Sequence, residues 1–172
     1  MASPLYVSST RRLTFDEVPE PLRAEIVAHA ARASLLLREV GGWLTHRENP
    51  PSKSLFGRLF GSRSNSADPD PHHDVVLLLH PTHVVVGTHG PVRGSSVLSL
   101  PLAQATVARG GLLARALGPG ADAPSDDGLT ISGFPGTDGR PGTFFVGLGA
   151  GPDAEACFAA VSEAIVRIKN PG

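Results

Sequence analysis

"DVVLLLHPTHVVVGTH", residues 74–89, holds two short apolar runs rich in β-formers. Only Pro81-Thr82 stands between them, so the stretch predicts a tight hairpin. The chain after it keeps the same texture. "GPVRGSS" reads as a turn, and "SVLSLPLAQATVARG" as a third extended segment. That segment bends at Pro101, which has no N–H to give to a ladder. "GGLLARALG" is a short helical turn or an irregular crossing, and "GADAPSDDG" is a loop. "LTISGF" and "TFFVGL" are two further strands, joined by the turn-rich "PGTDGRPG".

"GPDAEACFAAVSEAIVRIK", residues 151–169, predicts a closing helix. Pro152 suits its first position, and Asp153 and Glu155 complement the N-terminal dipole. Phe158, Val161, Ile165 and Ile168 form the expected buried stripe, with Arg167 and Lys169 in the last turn. Strands that follow one another closely and then a helix imply an α+β fold with a curved antiparallel sheet. The gaps are too short for βαβ crossovers.

Upstream, residues 1–17 read as loosely ordered. A helix is expected to start near Pro19-Glu20-Pro21 and to run through residues 22–47. Leu22, Ile26, Ala33, Leu37, Val40 and Leu44 make an apolar stripe along it, with Gly41-Gly42 as a stop or kink. Residues 1–47 are thus an N-terminal segment with an added amphipathic helix, residues 48–73 a flexible linker, and residues 74–172 the main domain.

Inside that linker lies "SKSLFGRLFGSR", residues 52–63. It carries Lys53, Arg58 and Arg63 and no acid. Leu55, Phe56, Leu59 and Phe60 would share one face of a helix. Three readings stand for it: loose packing on the domain, a docking motif for a partner groove, or a membrane-surface element whose cations meet anionic lipid. The seven residues form the candidate partner- or membrane-binding site.

Composition narrows the function classes. The chain has 172 residues, 41% hydrophobic and 18% charged, with a net charge of −1. Those shares fit a globular core, and the near-zero charge gives no global field toward nucleic acid. The single cysteine, Cys157, excludes an intrachain disulfide framework and a Cys-based zinc cluster. The N-terminus lacks a signal-peptide run and no stretch reaches about 18 apolar residues. The expected location is cytoplasmic, with residues 52–63 able to bring the protein to the inner face of the membrane.

Signatures of catalysis are missing from the sequence. No G-x-S-x-G elbow or P-loop occurs. Cys157 sits beside Phe158 on the closing helix and reads as a small buried hydrophobe. "GLGAGPDAE" lacks the third glycine of a dinucleotide fingerprint, and no strand follows its helix. Of the seven histidines, His72, His73, His80, His83 and His89 cluster in sequence, but without a zinc-ligand spacing. No catalytic residue, cofactor or metal is expected.

The phrases "LLLHPTHVVVGTHG", "SVLSLPLAQATVARGGLLARALG", "GLTISGF", "TFFVGL" and "GPDAEACFAAVSEAIVRI" resemble, in that order, a bacterial pleckstrin-homology-like (PH-like) domain over residues 74–169. The resemblance implies a curved antiparallel roll plugged by the C-terminal helix, and a monomeric adaptor that binds proteins or lipid head groups. One feature departs from it. Phosphoinositide-binding members place Lys and Arg around the first hairpin loop, whereas Pro81-Thr82 has only His80 and His83 beside it. The element order is also similar to small cytosolic secretion chaperones, which dimerise and hold client segments.

Overall fold

The computed structural model describes residues 5–38, 40–52, 61–111, 127–136 and 138–172. Among these, eight strands and two helices follow in the order β1 (Val7–Thr14), α1 (Leu22–Arg32), β2 (Gly41–Glu48), β3 (His72–Leu79), β4 (His83–Gly90), β5 (Gly94–Pro101), β6 (Thr106–Arg109), β7 (Leu129–Pro135), β8 (Pro141–Val146) and α2 (Pro152–Lys169). The class is α+β. Strands β1 to β5 form one antiparallel sheet in sequence order, and β6 to β8 form a second. The strands therefore divide into two sheets and do not close a barrel.

The hairpin of residues 74–89 lies at the centre. His80 N–H closes its turn on His83 O at 2.9 Å, and β3 and β4 pair from Asp74↔His89 to Leu79↔Val84. Its runs are apolar throughout because the sheet is covered on both faces. Val75, Leu77, Val84 and Val86 enter one core with Trp43, Leu100, Leu129, Ile131, Val146 and residues of α2. Val76, Leu78 and Val85 enter another with Leu13, Leu44 and α1's Leu22 and Ile26. Burying both sets removes the polar alternation that a half-exposed strand would show. Gly87 allows the close approach of α1: a Cβ there would meet Leu22 Cδ1 at 3.0 Å and Ile26 Cδ1 at 3.3 Å.

Pro101 ends β5, as expected, and the chain turns a corner. Leu102 N–H bonds Thr82 O and Gln104 N–H bonds Pro101 O, both at 2.9 Å. The second sheet then packs across the first, and α2 closes the core.

Four expectations are corrected. Residues 7–14 are ordered as β1, because they pair with β2 over eight positions from Val7↔Glu48 to Thr14↔Gly41 and bury Leu13. The first helix stops at Arg32. Ser34 takes a positive φ of 55° and Leu35 N–H returns to Ala30 O at 2.8 Å, which turns the chain off the helix axis. Val40 and Leu44 still reach the core beside Leu22 and Ile26, but Leu44 does so from a strand. Helical spacing and strand direction happened to aim the same residues inward.

The third correction concerns residues 48–73. Residues 41–48 pair directly with 72–79 from Gly41↔Leu79 to Glu48↔His72, so the stretch connects neighbouring strands of one sheet. The fourth concerns α2, whose buried residues are Ala154, Cys157, Val161, Ala164 and Ile165. Phe158 is half-buried beneath the Arg109 guanidinium, 4.2 Å from its ring centroid, and Ile168 is exposed. Arg109 is held there by Glu155 through two 2.7 Å bonds. Val161 and Ile165 of the expected stripe are buried, and the small Ala154, Cys157 and Ala164 join them in the core.

Candidate functional site

Of the residues read as a binding handle, Lys53, Leu55, Phe56, Arg58, Leu59 and Phe60 lie outside the described residues. Arg63 is placed, and it belongs to the base. Pro51 and Arg63 form an antiparallel bridge. Ser52 N–H donates to Ser62 O, and Ser64 N–H to Pro50 O, each at 2.8 Å. The Arg63 guanidinium bonds Asn49 O at 3.0 Å. These contacts bring residues 52 and 62 side by side. Residues 50–52 and 62–64 thus form a paired neck at the end of β2 and β3.

Below the neck is a buried polar cluster that sequence reading missed. Asn49, Asp68, Asp70, His73 and Arg47 are all buried. Arg93, from the turn between β4 and β5, donates to Asp70 Oδ2 and Asp68 Oδ1. Tyr6 donates to Asp68 Oδ2 at 2.5 Å, and Asn65 Nδ2 donates to the Tyr6 oxygen at 2.8 Å. Val92 N–H reaches Asp70 Oδ1 at 2.6 Å. Asn49 Oδ1 accepts from Asn65 N–H, and Asn49 Nδ2 donates to Asn65 O, both at 2.9 Å. The Arg47 guanidinium lies 4.1 Å from the Tyr6 ring centroid. Gly90 makes room for this cluster, since a Cβ there would overlap the Asp70 carboxylate.

Electrostatics follow from that geometry. Burial alone would raise the Asp68 and Asp70 carboxyls. Hydrogen bonds and the Arg93 charge outweigh it and hold both below the ordinary range. Tyr6 is pushed up to about 12, first by burial and then by its bond to Asp68. Burial pulls His73 down to about 4, helped by the Arg93 and Arg47 charges. The neutral His73 ring stands edge-on to Tyr6, centroids 5.5 Å apart. Its Nδ1 lies 3.5 Å from Asp68 Oδ2 without making a hydrogen bond. The cluster acts as a clasp: it joins the N-terminal strand, both ends of the 49–71 connection and the β4–β5 turn.

The opposite end of the sheet is open. Arg38, His80 and Arg167 line a depression of about 440 Å³ floored by Leu79, Pro81, Leu102 and Ala164. The hairpin loop that lacks Lys and Arg in sequence thus receives two arginines from remote positions, one after α1 and one in α2. No motif signalled them, because each is a single charge in its own segment.

The histidines divide in the same way. His80 and His83 flank the turn with ring centroids 6.0 Å apart, and both contact Thr82 Oγ1. His72 is exposed and His73 buried, since neighbours on a strand face opposite sides. Cys157 is fully buried, and burial pushes its thiol up to about 12, which suits a packing role. Among the described residues, no helix is long and apolar enough to cross a membrane. No protein-family model, no curated protein and no solved structure matches the chain.

Proposed function

We propose that the protein is a non-enzymatic, monomeric binding module of PH-like type that presents residues 52–63 to an anionic membrane surface or to a protein partner. Support for the PH-like reading comes from the order of elements: a larger antiparallel sheet, a corner at Pro101, a three-strand sheet and a closing helix. The observation that carries the binding role is the paired neck at Pro51 and Arg63, fastened by the buried clasp. A basic and apolar stretch held at a fixed point on the molecule suits recognition better than a tether between domains does. Lys53, Arg58 and Arg63 supply the attraction to anions, and Phe56 and Phe60 the apolar anchors.

Vesicle sedimentation tests this reading. Vesicles of phosphatidylcholine with phosphatidylserine are expected to retain the protein at low salt and to release it as salt rises. Phe56→Ala with Phe60→Ala is expected to abolish retention without moving the melting temperature. Retention that is absent at low salt would discard the membrane role and leave the protein partner. A fall of several degrees in melting temperature for the double variant would make the stretch part of the core and overturn the proposal.

A further inference from the structure

The depression at the His80–His83 end of the sheet has the charge and the size of an anion site. It measures about 440 Å³ and is lined by Arg38, His80 and Arg167 over an apolar floor of Leu79, Pro81 and Leu102. Clefts for small organic ligands span about 300–1,000 Å³ and combine an apolar lining with a few polar groups. No acid lines this one among the described residues. Arg38 and Arg167 are exposed and form no ion pair or hydrogen bond with any described residue. Arg38 also borders a second hollow that holds Asp16, but the two side chains are not paired.

We propose that this depression binds a phosphate monoester, with Arg38 and Arg167 holding the phosphate, His80 donating to it and the apolar floor carrying the rest of the ligand. The site lies at the opposite end of β3 from the paired neck, and it stands apart from the role given to residues 52–63. Charge selects the ligand class. Two guanidinium groups in a hollow without an acid match a dianion. A phosphate monoester carries about −1.5 to −2 near pH 7 and offers three acceptor oxygens, whereas a carboxylate carries a single charge and two. Each guanidinium presents a planar fork of N–H groups that meets phosphate through two parallel bonds.

The framework that carries these groups is fixed. Thr82 N–H donates to His80 Nδ1 at 3.2 Å, so Nδ1 is the acceptor and the ring proton sits on Nε2. That N–H has no partner among the described residues and is the donor left for a ligand. The hairpin turn is held by His80 N–H on His83 O and by Leu102 N–H on Thr82 O, both at 2.9 Å. The last turn of α2 is tied to the same corner by Lys169 Nζ, which donates to Ala105 O at 2.6 Å. Arg38 stands between Leu37 and Val40, and both of these pack into the core under α1. Groups carried on a fixed framework lose less freedom when a ligand binds.

The test titrates phenyl phosphate, and separately sodium acetate, into the untagged full chain and follows the amide NMR signals. Phenyl phosphate is expected to bind saturably at one site and to move the Thr82 and Arg167 amides. Acetate should bind at least about 10-fold more weakly, since a charged hydrogen bond is lost. Arg38→Ala and Arg167→Ala should each weaken phenyl phosphate binding by about 10-fold or more, and together they should abolish it. Arg167→Lys keeps the charge without the fork and should recover only part of the loss. Arg140→Ala, at an exposed arginine between β7 and β8, should leave binding unchanged. Circular dichroism of each variant checks that folding is retained. Sedimentation with vesicles of phosphatidylcholine and phosphatidic acid, on the chain carrying Phe56→Ala and Phe60→Ala, separates the sources of the ester. Retention that requires Arg38 and Arg167 assigns it to a lipid, and phenyl phosphate binding without retention assigns it to a soluble molecule. Absence of saturable binding by the wild type, acetate bound as tightly as phenyl phosphate, or binding that survives the double arginine variant would overturn the proposal.

Discussion

The two ends of the five-strand sheet use similar charged residues to opposite effect. At the Gly90–Gly94 end, Arg93 meets Asp68 and Asp70, and the carboxylates are sealed from water. At the His80–His83 end, Arg38 and Arg167 line an open depression and form no ion pair or hydrogen bond within the described residues. Burial makes the difference. A charge removed from water must be paired and hydrogen-bonded, or folding loses several kcal/mol. A charge left in water needs no partner and remains free to meet one from outside. The closed end therefore holds the molecule together, and the charges of the open end stay in water.

The largest test of this contrast is Arg93→Ala. It would leave Asp70 and Asp68 buried without their cation. About 3 kcal/mol of stability is expected to be lost, the lower part of the range for breaking a buried pair, since Arg93 is itself one-third exposed. Denaturant unfolding measures this directly, and a loss under about 1 kcal/mol would mean that the clasp is not a stabilising unit.

Acid should attack the same end. His73 titrates near 6.5 when unfolded and at about 4 in the fold. Between those values the unfolded chain binds the extra proton, so stability is full above about 6.5 and falls as pH drops toward 4. The gap is worth roughly 3 kcal/mol. Below that window, Asp68 and Asp70 add a further loss, because their folded values lie under the ordinary carboxylate range. His73→Phe is expected to flatten the unfolding midpoint between pH 6.5 and 4 while the steeper fall below remains. An unchanged slope would remove His73 from the account.

The smallest effect is expected at the open end. Arg38→Ala and Arg167→Ala should each change stability by no more than about 0.5 kcal/mol, as is usual for exposed side chains without partners. A loss near that of Arg93→Ala would erase the distinction between the two ends.

Much of the local structure was legible. The Pro81-Thr82 hairpin, the bend at Pro101, the strands around Ile131 and Phe145, and the bounds of the closing helix follow from β-propensity, proline chemistry and capping. The end of α1 was not, because Leu37, Val40 and Leu44 keep a helical spacing through a segment that leaves the helix after Arg32. The clasp was hidden for another reason. Tyr6, Asn49, the Asp68–His73 stretch and Arg93 come from separate segments, and "ADPDPH" has the composition of a linker.

What the sequence determined alone was the set of local elements, for turn chemistry and apolar runs act over a few residues. Tertiary structure decided which charges are buried. Register and packing bring together residues far apart in the chain, and the cost of removing a charge from water depends on all of its neighbours at once.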